Sequence, residues 1–299
     1  MAKTTILFVR HGQSEANLHD LFAGHSGFSL TPLGREQAKR TAEFIKQNYP
    51  VDAVFSSDLP RAFQTAEYTN IGGRKRNEDS VAGTLWGEDG LLLVVADGLG
   101  GHGGGEQASQ SVCRTICQNW NGAADPETLG TLLTMAHGNV KNIQTPECAM
   151  KSTAVVLAIR GEQAAWAHVG DTRLYHFLNG KLIFQTRDHS ASQLAVMLGE
   201  ITPQEIRFHE DRNRVLRALG QEGELSIEAS QAQLGPGSHA FLLCSDGFWE
   251  YVLEDEMEED LRLASTEEEW IVRMHARLCK RIPSDNDNNT AAAVWCLIY

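Results

Sequence analysis

Val94-Val95-Ala96-Asp97-Gly98 and Leu242-Leu243-Cys244-Ser245-Asp246-Gly247 share one design. Each is a short apolar run suited to a buried strand, closed by Asp-Gly. The run delivers a carboxylate to the rim of a sheet. The glycine lets its own carbonyl approach whatever that carboxylate binds. Asp285-Asn286-Asp287-Asn288-Asn289-Thr290 mirrors the arrangement, with the acid just before the last apolar run. Arg74-Lys75-Arg76-Asn77-Glu78-Asp79 places two more acids upstream of the first. A lone Asp-Gly is ordinarily a turn. Four such motifs in this order call for a different explanation.

The flanking sequence sets the fold class. Apolar runs suited to sheet lie at 91–96, 153–159, 164–169, 174–177, 240–244 and 291–298, with helical stretches at 106–120, 127–143, 191–198 and 266–280. Gly161-Glu162 falls between two strands as a hairpin turn. Strands in hairpins with separate helix pairs indicate α+β rather than a parallel sheet. Hard oxygen ligands without His or Cys at ligand spacing suit Mg²⁺ or Mn²⁺ rather than zinc. Crowded carboxylates repel one another unless cations sit between them. Two such cations about 3.5–4 Å apart can lower a water's pKa and clamp an in-line phosphoryl displacement.

Composition narrows the partners. A net charge of −13 repels phosphate backbones and anionic lipid, which argues against nucleic-acid and membrane-surface roles. The 6 cysteines form no CxxC pair, so the pattern points to a reducing cytosol without a zinc site. The opening MAKTTILFVRHG has too short an apolar run for a signal peptide, and no stretch approaches the ~20 apolar residues of a membrane span. A cytoplasmic location is expected.

From about Tyr68 to Tyr299 the chain resembles the PPM family, the type-2C metal-dependent Ser/Thr protein phosphatases, of bacterial type. The likeness extends beyond the acidic motifs to Ser152-Thr153-Ala154, His168-Val169-Gly170-Asp171-Thr172-Arg173, Asp188-His189-Ser190 and Gly199-Glu200-Ile201-Thr202-Pro203. Residues 213–220 look like the end of the flap of bacterial members. The resemblance implies a β-sandwich flanked by helices, with a metal site at one end holding two Mn²⁺ or Mg²⁺ ions and a third more weakly. Asp97 would bridge the two metals, helped by the Gly98 carbonyl. Asp246 and Asp287 would complete the first site, Glu78 and Asp79 would hold the second, and Asp171 would serve the third. Arg74 would bind the substrate phosphate, which a bidentate guanidinium suits. Asp285 also neighbours an Asn, but Asp287-Asn288-Asn289-Thr290 fits the family's spacing and is preferred. The implied partners are phosphorylated proteins, the substrates of a bacterial Ser/Thr kinase.

Gly98-Leu99-Gly100-Gly101-His102-Gly103 reads on paper as a dinucleotide fingerprint. Asp97 would set a negative charge beside a pyrophosphate, and the next helix leads to another helix rather than to the strand of a βαβ unit. The glycines instead suit a tight loop at the metal site, with His102 at its edge.

Residues 1–67 differ. Arg10-His11-Gly12-Gln13-Ser14-Glu15-Ala16-Asn17, Leu30-Thr31-Pro32-Leu33-Gly34-Arg35-Glu36-Gln37-Ala38 and Ser56-Ser57-Asp58-Leu59-Pro60-Arg61 resemble the start of a histidine phosphatase of the phosphoglycerate mutase type. The pattern reads as α/β: strand 6–9, a helix opened by Thr31-Pro32, strand 51–55, and a second helix opened at Ser56. In that family His11 would be the phosphorylated nucleophile, with Arg10 and Arg61 on the phosphoryl oxygens. The family's acid and its second His are missing; Ala136-His137-Gly138-Asn139 imitates the latter only superficially. The chain therefore reads as a truncated histidine-phosphatase-like segment (1–67) fused to a PPM-type domain (68–299). The leading function is phosphoserine/phosphothreonine hydrolysis. The alternatives are an added phosphohistidine mechanism at His11, leaving Arg10, His11 and Arg61 vestigial or active, and a non-catalytic phosphoprotein-binding module.

Overall fold

Leu91, Leu93 and Val95 pack into one hydrophobic cluster and Leu92, Val94 and Ala96 into another, all of them buried. A strand apolar on both faces needs a layer on each side. In the computed structural model this strand lies inside a four-layer α/β/β/α stack. The structure describes residues 53–58, 64–87, 89–100 and 104–298, together with some helical positions between 33 and 45.

In chain order the elements are β1 (Ala53–Asp58), β2 (Gln64–Asn70), β3 (Asp79–Trp86), β4 (Gly90–Leu99), α1 (Gly104–Asn119), α2 (Pro126–Ile143), β5 (Lys151–Ser152), β6 (Ala154–Arg160), β7 (Gln163–Val169), β8 (Arg173–Leu178) and β9 (Lys181–Gln185). There follow α3 (Ala191–Met197), a 3₁₀ turn (Pro203–Phe208), β10 (Glu228–Gln233), β11 (Gly237–Cys244), α4 (Asp246–Trp249), α5 (Glu254–Leu263), α6 (Glu267–Leu278) and β12 (Asn289–Ile298). One sheet runs β1-β2-β12-β11-β8-β9 and the other β10-β7-β6-β4-β3, with β5 beside the end of β4. The pairings are antiparallel.

Alternation along the strands assigns each face. Leu157, Trp166, Phe241, Leu243 and Val294 fill the space between the sheets. Val156, Ala158 and Ala167 face the other way, onto Val112, Ile116, Leu129 and Leu133 of α1 and α2. Leu242, Ala291 and Ala293 back onto Phe248, Trp270, Ile271 and Met274 of α4 and α6. Local chemistry starts the helices where expected. The Asp125 carboxylate caps α2 by accepting from Thr128 N at 2.8 Å, with Pro126 in the first turn, and Thr266 caps α6 by accepting from Glu269 N at 3.1 Å.

The helix expected to open at Ser56 is not found over the described residues 56–58 and 64–70, which are strand. Residues 53–58 make β1, which pairs with β2 from Ala53↔Asn70 to Asp58↔Thr65. On its other edge β2 pairs with β12, from Asn289↔Asn70 to Trp295↔Gln64. Ala66 and Tyr68 share one face of β2 and are buried against the α4/α6 layer, so an alternating pattern and an open β12 edge outweigh the helical preference of the local sequence. Position 67/68 thus falls inside a strand.

The chain divides into two units, residues 1–52 with 59–61, and residues 53–58 with 62–299. In the first, the described positions are helical. Arg40 Nε donates to Glu36 Oε1 at 3.0 Å, Thr41 Oγ1 donates to the Gln37 carbonyl, and Leu33 is exposed. Arg10, His11, Arg61 and His102 lie outside the described residues.

Candidate metal centre

The rim acids come from separate elements that end at the same pole of the sandwich. Asp79 opens β3 and Asp97 stands near the end of β4, directly opposite each other in the register. Antiparallel pairing sets such Cβ atoms about 4.5–5.5 Å apart. Asp246 is the first residue of α4, Asp287 lies just before β12, and Asp171 lies between β7 and β8.

Backbone fit around Asp97 is tight. Gly98 N donates to the Glu78 carbonyl at 3.0 Å, and a Cβ built on Gly98 would stand 2.0 Å from the Gly105 carbonyl oxygen. Any side chain there would push α1 away from the rim. The Asp97 carbonyl accepts from Thr153 N at 2.8 Å and from Ser152 Oγ at 2.9 Å. Gly247 plays the same part beside Asp246: a Cβ there would stand 2.0 Å from the Asn288 carbonyl oxygen.

The acids feel one another. Burial first, then the charges of Asp79, Asp246, Asp171 and Asp287, pushes the Asp97 carboxyl well above the usual carboxylate range. Asp246 is raised likewise, by burial and then by Asp171, Glu250, Asp287 and Asp79. Burial pushes Asp79 up to about 6 although the Ser245 hydroxyl bonds it, and burial with the charge of Asp188 pushes Asp171 up to about 7. Glu78 is raised by burial, against a backbone hydrogen bond from Gly105. Asp171 Oδ1 is buried with no hydrogen-bond partner. Oxygen-only donors, mutual repulsion and an orphaned buried carboxylate oxygen fit hard divalent cations.

Asp79, Asp97, Asp171, Asp246 and Asp287 thus share one electrostatic environment, with Glu78 and the Gly98 backbone beside it. Asp285 is not among the larger charges acting on Asp79, Asp97 and Asp246; its backbone packs against Gly73. Arg74 is ion-paired with Asp287. His137 serves the scaffold: its Nδ1 accepts from Gly220 N at 3.1 Å.

Three contributing residues carry no role in the sequence reading. Ser245 Oγ donates to Asp79 Oδ2 at 2.7 Å and accepts from Thr290 N at 3.0 Å. Asn288 Oδ1 accepts from Glu78 N at 2.8 Å, and its Nδ2 donates to the carbonyls of Ile71 and Arg76, stapling the two acidic loops together. Trp249 Nε1 donates to the Asp171 carbonyl at 3.0 Å. Ser245 and Asn288 sit next to predicted ligands, and that adjacency was the only available signal.

Another cluster gathers ligand atoms within 4.8 Å of one another: His168, His189 and Glu228. The two rings stack at 4.6 Å with planes 15° apart, so their in-plane lone pairs run side by side rather than converge. His189 Nδ1 accepts from Gly170 N at 3.1 Å, which leaves the proton of the neutral ring on Nε2. We read this trio as packing.

Comparison with known proteins identifies the family. Residues 68–287 match the family model of Protein phosphatase 2C, and residues 6–77 that of the Histidine phosphatase superfamily (branch 1). The serine/threonine phosphatase stp of Listeria monocytogenes is 34% identical over 214 residues, which cover 67% of this chain and 84% of that protein. The serine/threonine protein phosphatase PstP of Mycobacterium tuberculosis is 33% identical over 207 residues, 65% of this chain but 38% of that longer protein. The crystal structure of Mycobacterium tuberculosis PstP/Ppp superposes with a TM-score of 0.68 at 27% identity, covering 80% of this chain and all of that one (100%). The catalytic domain of PstP in complex with 2 manganese ions gives 0.65 at 26% identity, covering 80% of this chain and 99% of that one. With a family match across residues 68–287 and these relatives, the chain belongs to the protein phosphatase 2C family of Ser/Thr phosphatases.

Proposed function

We propose that this chain hydrolyses phosphoserine and phosphothreonine in proteins with a water activated by two Mn²⁺ or Mg²⁺ ions. The observation that carries the reading is the convergence of buried acids whose charges disfavour one another's ionised forms. Such a cluster is costly unless cations share it. Asp97 would serve both ions and the Gly98 carbonyl one of them; Asp246 and Asp287 would complete the first position, Glu78 and Asp79 would hold the second, and Asp171 would serve a third, weaker one. Bound divalent cations supply Lewis acidity and lower the pKa of a coordinated water. The protein's part is to fix the acids. Ser245 orients Asp79, Asn288 sets the Glu78 loop, and Gly98 and Gly247 let backbone carbonyls close in. Arg74, half exposed at the edge, would take the substrate phosphate with two parallel N–H donors.

The phosphatase-like sequence in this reading spans residues 68–299, preceded by the histidine-phosphatase-like residues 1–67, of which β1 and the start of β2 extend its sheet. Its substrates would be phosphorylated proteins made by a Ser/Thr kinase. Among the described residues no helix is long and apolar enough to cross a membrane. A non-catalytic binding module would have no use for the full set of acids. Hydrolysis of a small aryl phosphate should require Mn²⁺ or Mg²⁺ and vanish in EDTA; full activity in excess chelator sinks the reading.

A further inference from the structure

Arg74-Lys75-Arg76 is the only run of three consecutive cations in a chain of net charge −13, and the fold sets it at the edge of the acid cluster. The loop that carries it is clamped. Gly73 N donates to the Asn286 carbonyl at 2.9 Å, and Asn288 Nδ2 reaches the carbonyls of Ile71 at 2.7 Å and Arg76 at 2.9 Å. Asn77 Nδ2 donates to Thr69 Oγ1 at 2.8 Å. Gly72 is left-handed, with φ of 61°, and a Cβ built on Gly73 would stand 2.4 Å from the Ser284 carbonyl oxygen. The backbone of 71–77 is therefore tied to the segment that bears Asp287, and its long side chains start from fixed points.

All three side chains are exposed, yet only Arg74 is committed. It is paired with Asp287, whereas Lys75 and Arg76 have no ion pair or side-chain hydrogen bond among the described residues. A solvated charge needs no partner, and an isolated surface lysine would carry no argument. Here two uncommitted cations directly follow the residue proposed to take the substrate phosphate. An extended peptide advances ~3.3 Å per residue, close to the ~3.8 Å between successive Cα atoms of the loop. Cations one and two positions from Arg74 thus come within reach of the residues flanking a phosphate held there. The acid-rich remainder of the chain repels an acidic peptide. These two side chains supply the opposite field where the phosphorylated residue enters.

We propose that Lys75 and Arg76 are specificity-determining residues that favour phosphoproteins with Asp or Glu beside the phosphorylated residue. The proposal rests on the phosphatase reading above and names its substrate class. The contact is with the flanks of the substrate, so the two residues act on its choice and leave the chemistry to the acids. Arg76 also favours the ionised form of Glu78 through its charge. A role confined to offsetting the acids would appear in Mn²⁺ affinity and leave peptide choice unchanged.

The test uses the full chain in saturating Mn²⁺ and three phosphothreonine peptides that differ only in the two residues on each side, all Glu, all Gln or all Lys. At low salt, kcat/KM of the wild type should be roughly 5-fold or more higher for the Glu peptide than for the Lys peptide, as exposed ion pairs gained in one and opposed in the other allow. The preference should shrink toward parity at ~1 M salt, where the screening length falls to about 3 Å. Lys75→Ala with Arg76→Ala should erase it, and Lys75→Glu with Arg76→Glu should reverse it. Turnover of a small aryl phosphate, which has no flanks, should stay within about 2-fold in the alanine variant. Should the double variants fail to fold, the wild-type salt series decides. Equal preference in the alanine variant and wild type overturns the proposal, as does a preference that survives ~1 M salt. A wild type that needs Mn²⁺ for aryl phosphate but treats the three peptides alike rejects the basic edge and keeps the two-cation reading. One inert toward aryl phosphate and peptides in Mn²⁺ rejects both.

Discussion

Arg74 grips Asp287 with both prongs of its guanidinium, Nε to Oδ1 at 2.9 Å and Nη2 to Oδ2 at 2.7 Å. The proposed phosphate ligand and a proposed metal ligand are thus partners. A fork engaged on a carboxylate cannot simultaneously clamp a phosphate, so cation and substrate both draw on this pair. Arg74→Ala should raise KM for a phosphopeptide, since charge-assisted hydrogen bonds are worth ~1.5–3 kcal/mol, about 10- to 150-fold. It should leave Mn²⁺ affinity equal or higher, because Asp287 is freed. Arg74→Lys should fall between. Steady-state kinetics with Mn²⁺ calorimetry decide it; a fall in kcat at constant KM contradicts the assignment.

The acids should be ranked by their place in the cluster. Asp97 faces Asp79, Asp171, Asp246 and Asp287, so Asp97→Asn should lose turnover by at least ~10²-fold. Ser245→Ala removes the hydroxyl holding Asp79 and should weaken Mn²⁺ binding by ~10–100-fold, as for residues one layer behind a metal ligand. Asp285→Asn should do neither. A dead Asp285→Asn beside an active Asp97→Asn would reverse the proposed ligand set.

Asp171 gives a stability signature free of turnover. Its folded pKa is pushed up to about 7 from 3.8, so between those values the folded chain holds a proton the unfolded chain has released. Stability from this group is present below about pH 4 and is lost as pH rises through about 7. In EDTA, Asp171→Asn should therefore gain on the wild type across that window by ~2–4 kcal/mol and stay level above it. The buried His176 and His189, held neutral at about 4 and about 3, act at the acid end in both proteins and cancel in the difference. Urea melts at several pH values measure it; a flat difference removes Asp171 from the cluster. Excess Mn²⁺ should shrink the gap.

How much of this was legible in the sequence depends on what each residue type does locally. Strands 90–99 and 237–244 could be read because their apolar runs end in Asp-Gly, and α2 because Asp125-Pro126 caps it. β3 and β10 were missed: β3 is only partly buried and β10 is largely exposed, so neither carries a continuous apolar run. The acids were legible as a list but their neighbours were not. Ser245, Asn288 and Trp249 act through hydrogen bonds to residues 166, 210 and 78 positions away, and no periodicity encodes such contacts. The helix expected from Ser56 failed for the opposite reason, because a local preference was overridden by a partner strand more than 200 residues away.

That override sets the last expectation, on where the chain can be shortened. β2 spans position 67/68, and Gln64, Thr65, Ala66 and Glu67 pair with Trp295, Val294, Ala293 and Ala292. A chain beginning at Tyr68 removes those rungs and the buried Ala66, leaving the C-terminal half of β12 with an open edge. At ~0.5–1.5 kcal/mol per hydrogen bond, the loss is a few kcal/mol. A chain beginning at Gln64 restores the rungs, and one beginning at Ala53 also restores β1 along the outer edge of β2. Melting temperature should rise in that order, with aggregation falling, while Mn²⁺-dependent turnover persists in every chain that folds. His11→Ala in the full chain should change neither quantity, since a nucleophile without its family's proton donor forgoes the ~10²–10⁴-fold that general-acid help supplies. Equal melting temperatures for the chains starting at Gln64 and Tyr68 would show that the β2–β12 rungs contribute nothing. Chelator-resistant activity that disappears with His11→Ala would restore a second active site to the chain.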